Sequence, residues 1–238
     1  EYNLQEIRIE DYNSIKEYYQ MRRPETADSN ILDLYIWLNC YPTWYFTNDK
    51  GLMWVAKSED GQYYSSIPCC KDEDLKECFL ETQKYFNEVL QKKLVMYVVD
   101  KAAVDLLQLP EDEYVVVPDR TYADYVYDAE KLRTFSGKKY HKKKNHLNAF
   151  KREYEGRYEF KFLSKKDEPE ILAFLEDWKK HKSDTEEHEF IDSEAVGIKY
   201  ILEHEEVFDY KIGAVYVDNK LEAFTIGNYE SKEDMVYI

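Results

Sequence analysis

Apolar positions recur at helical spacing twice near the start of the chain. Residues 11–20 have helical character, and residues 29–38 carry Ile31, Leu34, Tyr35 and Leu38 along one face. The opposite face of that second segment is nearly as apolar, so the pattern predicts a well-buried helix. Residues 52–56 and 62–67 read as a hairpin turning through Ser58-Glu59-Asp60-Gly61. The clearest stripe follows, with Leu75, Cys78, Phe79, Thr82, Phe86, Val89 and Leu90 on one face of a helix over residues 72–90. A continuous apolar run at 94–99 predicts an interior strand, residues 102–107 a short helix, and residues 114–117 a last strand before Pro118.

The second half repeats this order. Residues 167–180 place Ile171, Phe174, Leu175 and Trp178 at helical spacing, and Ser193 is expected to cap a second helix reaching His204. Strands are predicted at 211–217 and 221–227 around the tight-turn pair Asp218-Asn219, with a third beginning at 235–238. The expected organisation is a first domain over 1–118, a linker and basic helix over 119–157, and a second domain over 158–238. The stretch 68–118 has no counterpart after the second hairpin, and the chain opens at Glu1 without an initiator methionine. The first feature predicts that the chain continues past Ile238, and the second that further residues precede Glu1.

Composition narrows the chemistry. The 238 residues are 44% hydrophobic and 16% aromatic, with 23 tyrosines, which describes a folded domain rather than a disordered tail. The seven glycines are too dispersed to build a phosphate-cradling loop, and neither a G-x-S-x-G elbow nor an H-E-x-x-H helix occurs. Cys40, Cys69, Cys70 and Cys78 form no C-x-x-C pair, the pattern of reduced packing thiols in a cytoplasmic protein. The longest uncharged stretch, 34–48, is too short and too polar for a transmembrane segment.

Charge is distributed unevenly. The net charge is −16, yet residues 131–157 hold ten basic side chains against Glu153 and Glu155, so the remainder of the chain carries about −24. Within that stretch Tyr140, Leu147, Phe150 and Tyr154 form a core-facing seam. A lysine at 143 or 144 falls where the seam wants an apolar residue, so it must snorkel or meet an anion. One reading is a solvated face paired with the protein's own carboxylates. The other is a groove for a small anionic or phosphate-bearing ligand, built from Arg133, Lys138, Lys139, Tyr140, Lys142, Lys143, Lys144, Asn145 and His146. The acidic remainder opposes a long duplex footprint and favours a short anionic handle: a tRNA acceptor end, the ribose phosphate of coenzyme A or a lipid head group.

Residues 29–37 (SNILDLYIW), 135–147 (FSGKKYHKKKNHL) and 221–227 (LEAFTIG) resemble the signatures of the DUF2156 family, which is similar to the C-terminal domain of phosphatidylglycerol lysyltransferase. The resemblance implies an α/β fold with mixed sheets and two tandem GNAT-like acyltransferase domains, the second incomplete at its C-terminus. It implies transfer of an acyl or aminoacyl group, from acyl-CoA or aminoacyl-tRNA, to a small amine or hydroxyl, with no tightly bound cofactor. In a GNAT-like first domain the pyrophosphate would sit where Lys71-Asp72-Glu73-Asp74 stands. Three carboxylates there make that domain a structural or acceptor-binding copy without its own cofactor.

The candidates for acid–base work are His141, His146, Glu222 and Tyr229. His141 and His146 point about 140° apart on a helix, too far for joint metal ligation. Glu222 is ambiguous, because strict alternation puts Leu221 and Ala223 on one face and Glu222 with Phe224 on the other. His181, Asp184, Glu186, Glu187, His188 and Glu189 are expected in a loop that closes over an amine-bearing substrate rather than in a metal site. The rival to a transferase is a non-catalytic binding module that keeps the basic groove.

Overall fold

The computed structural model describes residues 2–22, 26–182, 185–230 and 234–238, with backbone only for 185–187. Its first half opens with the two-residue strand β1 (Gln5–Glu6), followed by helices α1 (Tyr12–Tyr19) and α2 (Ile31–Trp37). Asn30 caps α2 by accepting the Leu32 amide at 2.8 Å. Then come β2 (Thr43–Thr47), β3 (Gly51–Lys57), β4 (Tyr63–Tyr64) and β5 (Cys69–Cys70). Helix α3 (Leu75–Lys84), extended by a π-helical turn over Tyr85–Val89, and α4 (Lys101–Leu107) complete the half.

Strand β3 is buried along nearly its whole length because both of its faces are covered. Met53 and Val55 pack with Leu75, Cys78 and Phe79 of α3, whereas Leu52 and Trp54 pack with Ile15, Ile31 and Tyr35 of α1 and α2. Strand order is β1-β2-β3-β4, with β5 also paired to β3. Tyr63 and Tyr64 pair with Lys57 and Ala56, and Cys69 and Cys70 pair with Leu52 and Gly51. Between them, residues 65–68 leave the edge of β3. Ser65 instead donates to Val95 O at 2.9 Å and accepts from Tyr97 N at 3.1 Å, one parallel bridge to Met96. The strands predicted at 62–67 and 94–99 are thus reduced to a short pairing and a single bridge. The strand predicted at 114–117 is absent among the described residues: Val115 is 89% exposed, and no sheet edge lies beside it to accept its backbone.

The connector carries α5 (Ala129–Thr134) and α6 (His141–Glu153), and the second half holds β6 (Tyr158–Leu163), α7 (Glu168–Lys180), α8 (Thr185–Glu203), β7 (Lys211–Val217), β8 (Lys220–Glu230) and β9 (Met235–Tyr237). Both halves therefore begin with a strand, two helices and a three-strand antiparallel meander, and the second sheet runs β6-β7-β8-β9. The opening strand of each half was not foreseen. Helix α8 corrects a second expectation: Ser193 lies inside it, not at its start. Ile191, Ile198, Ile201 and Leu202 form one buried stripe across the serine, so packing carries the helix through.

The halves share a core. Ile201 and Phe208 pack with Tyr12, Tyr35 and Ile31, with Phe208 edge-on to Tyr12 at 5.1 Å and to Tyr35 at 5.2 Å. Asn30 also donates its amide to Asn228 Oδ1, and both residues are buried. Helix α8 approaches α2 so closely that a Cβ on Gly197 would lie 1.9 Å from the Ile36 carbonyl oxygen.

Candidate functional site

Where residues 65–68 leave β3, a cavity of about 840 Å³ opens on the α1/α2 side of the first sheet. This falls within the usual size of ligand pockets, roughly 300–1,000 Å³. Tyr18 and Tyr19 of α1, Trp37 of α2 and Trp54 of β3 wall it. Tyr64, Ser66 and Cys69 line the open sheet edge, Tyr97 and Val98 the facing segment, and Tyr122 the connector. The second half contributes Glu189, Phe190 and Ser193 from α8. Phe190 meets Trp37 edge-on at 6.2 Å, so residues predicted as a loop sit in helical register at this wall.

Five carboxylates border the cavity: Asp28, Asp33, Glu59, Asp60 and Glu189. Asp60, in the hairpin turn, is held below the usual carboxylate range by the Ser58 hydroxyl and the Gln62 amide. Asp33 is the opposite case. Burial, reinforced by Asp28 and then Asp124, pushes its carboxyl up to about 7 even though the Trp37 side chain hydrogen-bonds to it. Asp28 is raised by burial and by Asp124, whose Oδ2 accepts the Ala27 amide at 2.8 Å. The connector thus brings negative charge to the mouth of α2. Cys69 is raised to about 12 by burial, which keeps it a thiol. The cationic side chain among the described lining residues is Arg22, itself buried against Asp100 by a two-pronged contact, one arm at 3.3 Å. Asp100 in turn caps α4 through the Ala103 amide at 2.9 Å.

Of the residues singled out from the sequence, Glu189 of the expected acidic loop lines this cavity, whereas His141, His146, Glu222, Tyr229 and the connector candidates from Arg133 to His146 do not. The connector candidates are grouped on and before α6. Tyr140 is buried at 1% exposure, with a hydroxyl that finds no partner among the described residues, so it is a packing residue beneath the helix start rather than a surface contact. His141 to His146 are exposed. Arg133 is paired with Glu130, whereas Lys138, Lys139, Lys142, Lys143 and Lys144 meet no carboxylate among the described residues. Lys139 lies over the Tyr140 ring and Lys143 over Tyr127, at 5.2 and 5.8 Å. Asn145, Asn148, Lys151 and Arg152 border a shallow hollow of about 500 Å³ on the same helix.

The structure does not bring the four acid–base candidates together. Glu222 is the extra residue of a β-bulge: Val215 pairs with Ala223 and Tyr216 with Leu221, so Leu221 and Phe224 both face the core and the alternation ambiguity disappears. Its carboxylate lies 3.6 Å from Lys220 Nζ. Tyr229 donates to Asp234 Oδ1 at 3.0 Å on the exposed β8–β9 hairpin. Of the predicted acidic loop, Asp184 and the side chains of Glu186 and Glu187 lie outside the described residues. His181 donates from Nδ1 to the Asp177 carbonyl at 2.7 Å, and His188 from Nε2 to the Lys182 carbonyl at 2.8 Å. Among the described residues no three His, Cys, Asp or Glu side chains are grouped to hold a metal.

The family signature of the phosphatidylglycerol lysyltransferase C-terminal region matches residues 20–238. The crystal structure of a conserved protein of unknown function from Bacteroides thetaiotaomicron VPI-5482 superposes with a TM-score of 0.82 at 25% identity, over 97% of this chain and 77% of that one. An uncharacterised protein of Mycoplasmoides gallisepticum strain R is 28% identical over 100 residues, 42% of this chain. Those residues are 32% of that protein, so the match spans about a third of the curated relative.

Proposed function

The chain belongs to the phosphatidylglycerol lysyltransferase C-terminal family, and on that premise we propose that it moves an aminoacyl group from aminoacyl-tRNA to a small acceptor. The observation that carries this reading is the row of lysines on α6. In a chain of net charge −16, five neighbouring ammonium groups from Lys138 to Lys144 stand without carboxylate partners among the described residues, where an acceptor-end phosphate run would neutralise them. The cavity beside α2 would take the acceptor. An amine arriving there as an ammonium ion must lose a proton before it attacks the aminoacyl ester carbon. Asp33, with its carboxyl near 7, is a better base for that step than an ordinary carboxylate. The amine nitrogen then bonds to the carbonyl carbon, the ester C–O bond breaks, and the tRNA ribose oxygen leaves with a proton.

The test is the triple reversal Lys139→Glu, Lys142→Glu and Lys143→Glu. All three side chains are exposed, so circular dichroism should be unchanged. Affinity for deacylated tRNA at low salt should be lost, and because single strands contribute about 0.7 per phosphate, any residual salt slope should fall by about 2. Unchanged affinity in a fluorescence titration removes α6 as the docking site.

A further inference from the structure

The cavity combines features that together select for one chemical class of ligand. Of its lining carboxylates, Asp33 is half-buried and Asp28 is exposed at the mouth, and among the described residues the cation that lines the cavity is Arg22, which is already committed to Asp100. An anion would add to this repulsion, and a neutral apolar molecule would leave the Asp33 charge desolvated and uncompensated. An ammonium group would neutralise it. The walls suit the rest of such a molecule. Trp37, Trp54, Tyr19 and Tyr64 line the same cavity as the carboxylates, and aromatic rings attract cations most strongly where water is excluded. At about 840 Å³ the space exceeds what a metal ion or a bare ammonium needs, so the cation must be carried on an organic body.

We propose that this cavity binds an organic cation, with a primary or quaternary ammonium seated between Asp33 and Asp28 and its apolar body against Trp37, Trp54 and Tyr64. The inference rests on reading the cavity as the acceptor pocket, and it names the class of acceptor: a primary amine accepts at its own nitrogen, a quaternary ammonium only through a hydroxyl on the same molecule. Its test requires no tRNA, so the two can fail separately.

Trp37 and Trp54 report occupancy directly through intrinsic fluorescence, with calorimetry as the second readout. The probes are hexylamine, phenethylamine and choline. Each is compared with a neutral counterpart of matching shape: 1-hexanol, 2-phenylethanol or 3,3-dimethyl-1-butanol. At least one cation should saturate the protein and bind about tenfold or more tightly than its neutral counterpart, the discrimination expected of a charge-assisted contact. Asp33→Asn should erase most of that preference, Asp28→Asn part of it, and Lys220→Ala on the far sheet none. Equal binding of cations and their neutral counterparts overturns the proposal, as does failure of every amine to saturate the folded wild-type protein below about 10 mM. Selective amine binding without aminoacyl transfer would leave the ligand class standing and remove the transfer reaction. Transfer to an acceptor that carries no cation would do the reverse.

Discussion

At the scale of single residues, Asp33 is the most informative position. It is the one charged residue between Ile31 and Leu38, so its oddity was visible in the pattern, yet nothing in the spacing showed that it would face a cavity. Its carboxyl is raised to about 7 by burial and by Asp28 and Asp124. The folded protein therefore holds a proton that the unfolded chain has already released above its ordinary value of 3.8. Stability contributed by this group is present below about pH 4, falls as pH rises towards about 7, and stays low above that. Asp33→Asn removes the penalty, so the variant should gain about 2–4 kcal/mol over wild type at pH 8 and almost nothing at pH 4. Urea unfolding at several pH values measures the difference. A difference that does not change across this window would show that Asp33 ionises normally. Glu222 shows the converse case. Its neighbours alternated wrongly in the sequence, and a single extra residue in the β8 backbone, which no composition rule announces, put them right.

At the scale of elements, helices were read more accurately than strands. The α6 seam appears as predicted, with Tyr140 buried and Leu147, Phe150 and Tyr154 half-buried beneath an exposed lysine face. A helix satisfies its own backbone and exposes its stripe locally. A strand exists only where a partner accepts its hydrogen bonds, which is why the β-branched run Val115-Val116-Val117 joins no sheet while the charged, alternating β6 forms. The start of α8 was misplaced because Ser193 resembles a cap, although the apolar stripe continues on both sides of it. The α2–α8 contact supplies a sharp test. Gly197→Ala would drive a methyl group into the Ile36 backbone, with three of its atoms within 2.8 Å, and neither helix can retreat without opening the shared core. The variant should lose about 2–3 kcal/mol or fail to accumulate as folded protein, and a thermal melt against wild type decides. An unchanged midpoint would mean that the helices lie further apart.

At the scale of the whole molecule, the two halves have the same strand–helix–helix–meander order but do not stand as independent bodies. The second hydrophobic core draws Ile31, Tyr35 and Leu52 from one half and Ile201 and Phe208 from the other, and the buried Asn30–Asn228 contact ties α2 to β8. Chemical unfolding should therefore be a single cooperative transition. Tryptophan fluorescence, dominated by Trp37, Trp44 and Trp54 of the first half, should coincide with far-ultraviolet circular dichroism, which reports both halves. Two separated midpoints would show that the shared core is energetically minor. The amino-acid pattern by itself determined most helices (though not the start of α8), the repeated helix–helix–hairpin order, the acidic total and the basic connector, because periodicity and charge are local quantities. Only tertiary structure decided where β3 loses its partner, how the connector aspartate reaches α2, and that carboxylates and rings distant in sequence surround one cavity, since edge pairing and desolvation arise between segments and leave no trace in either one alone.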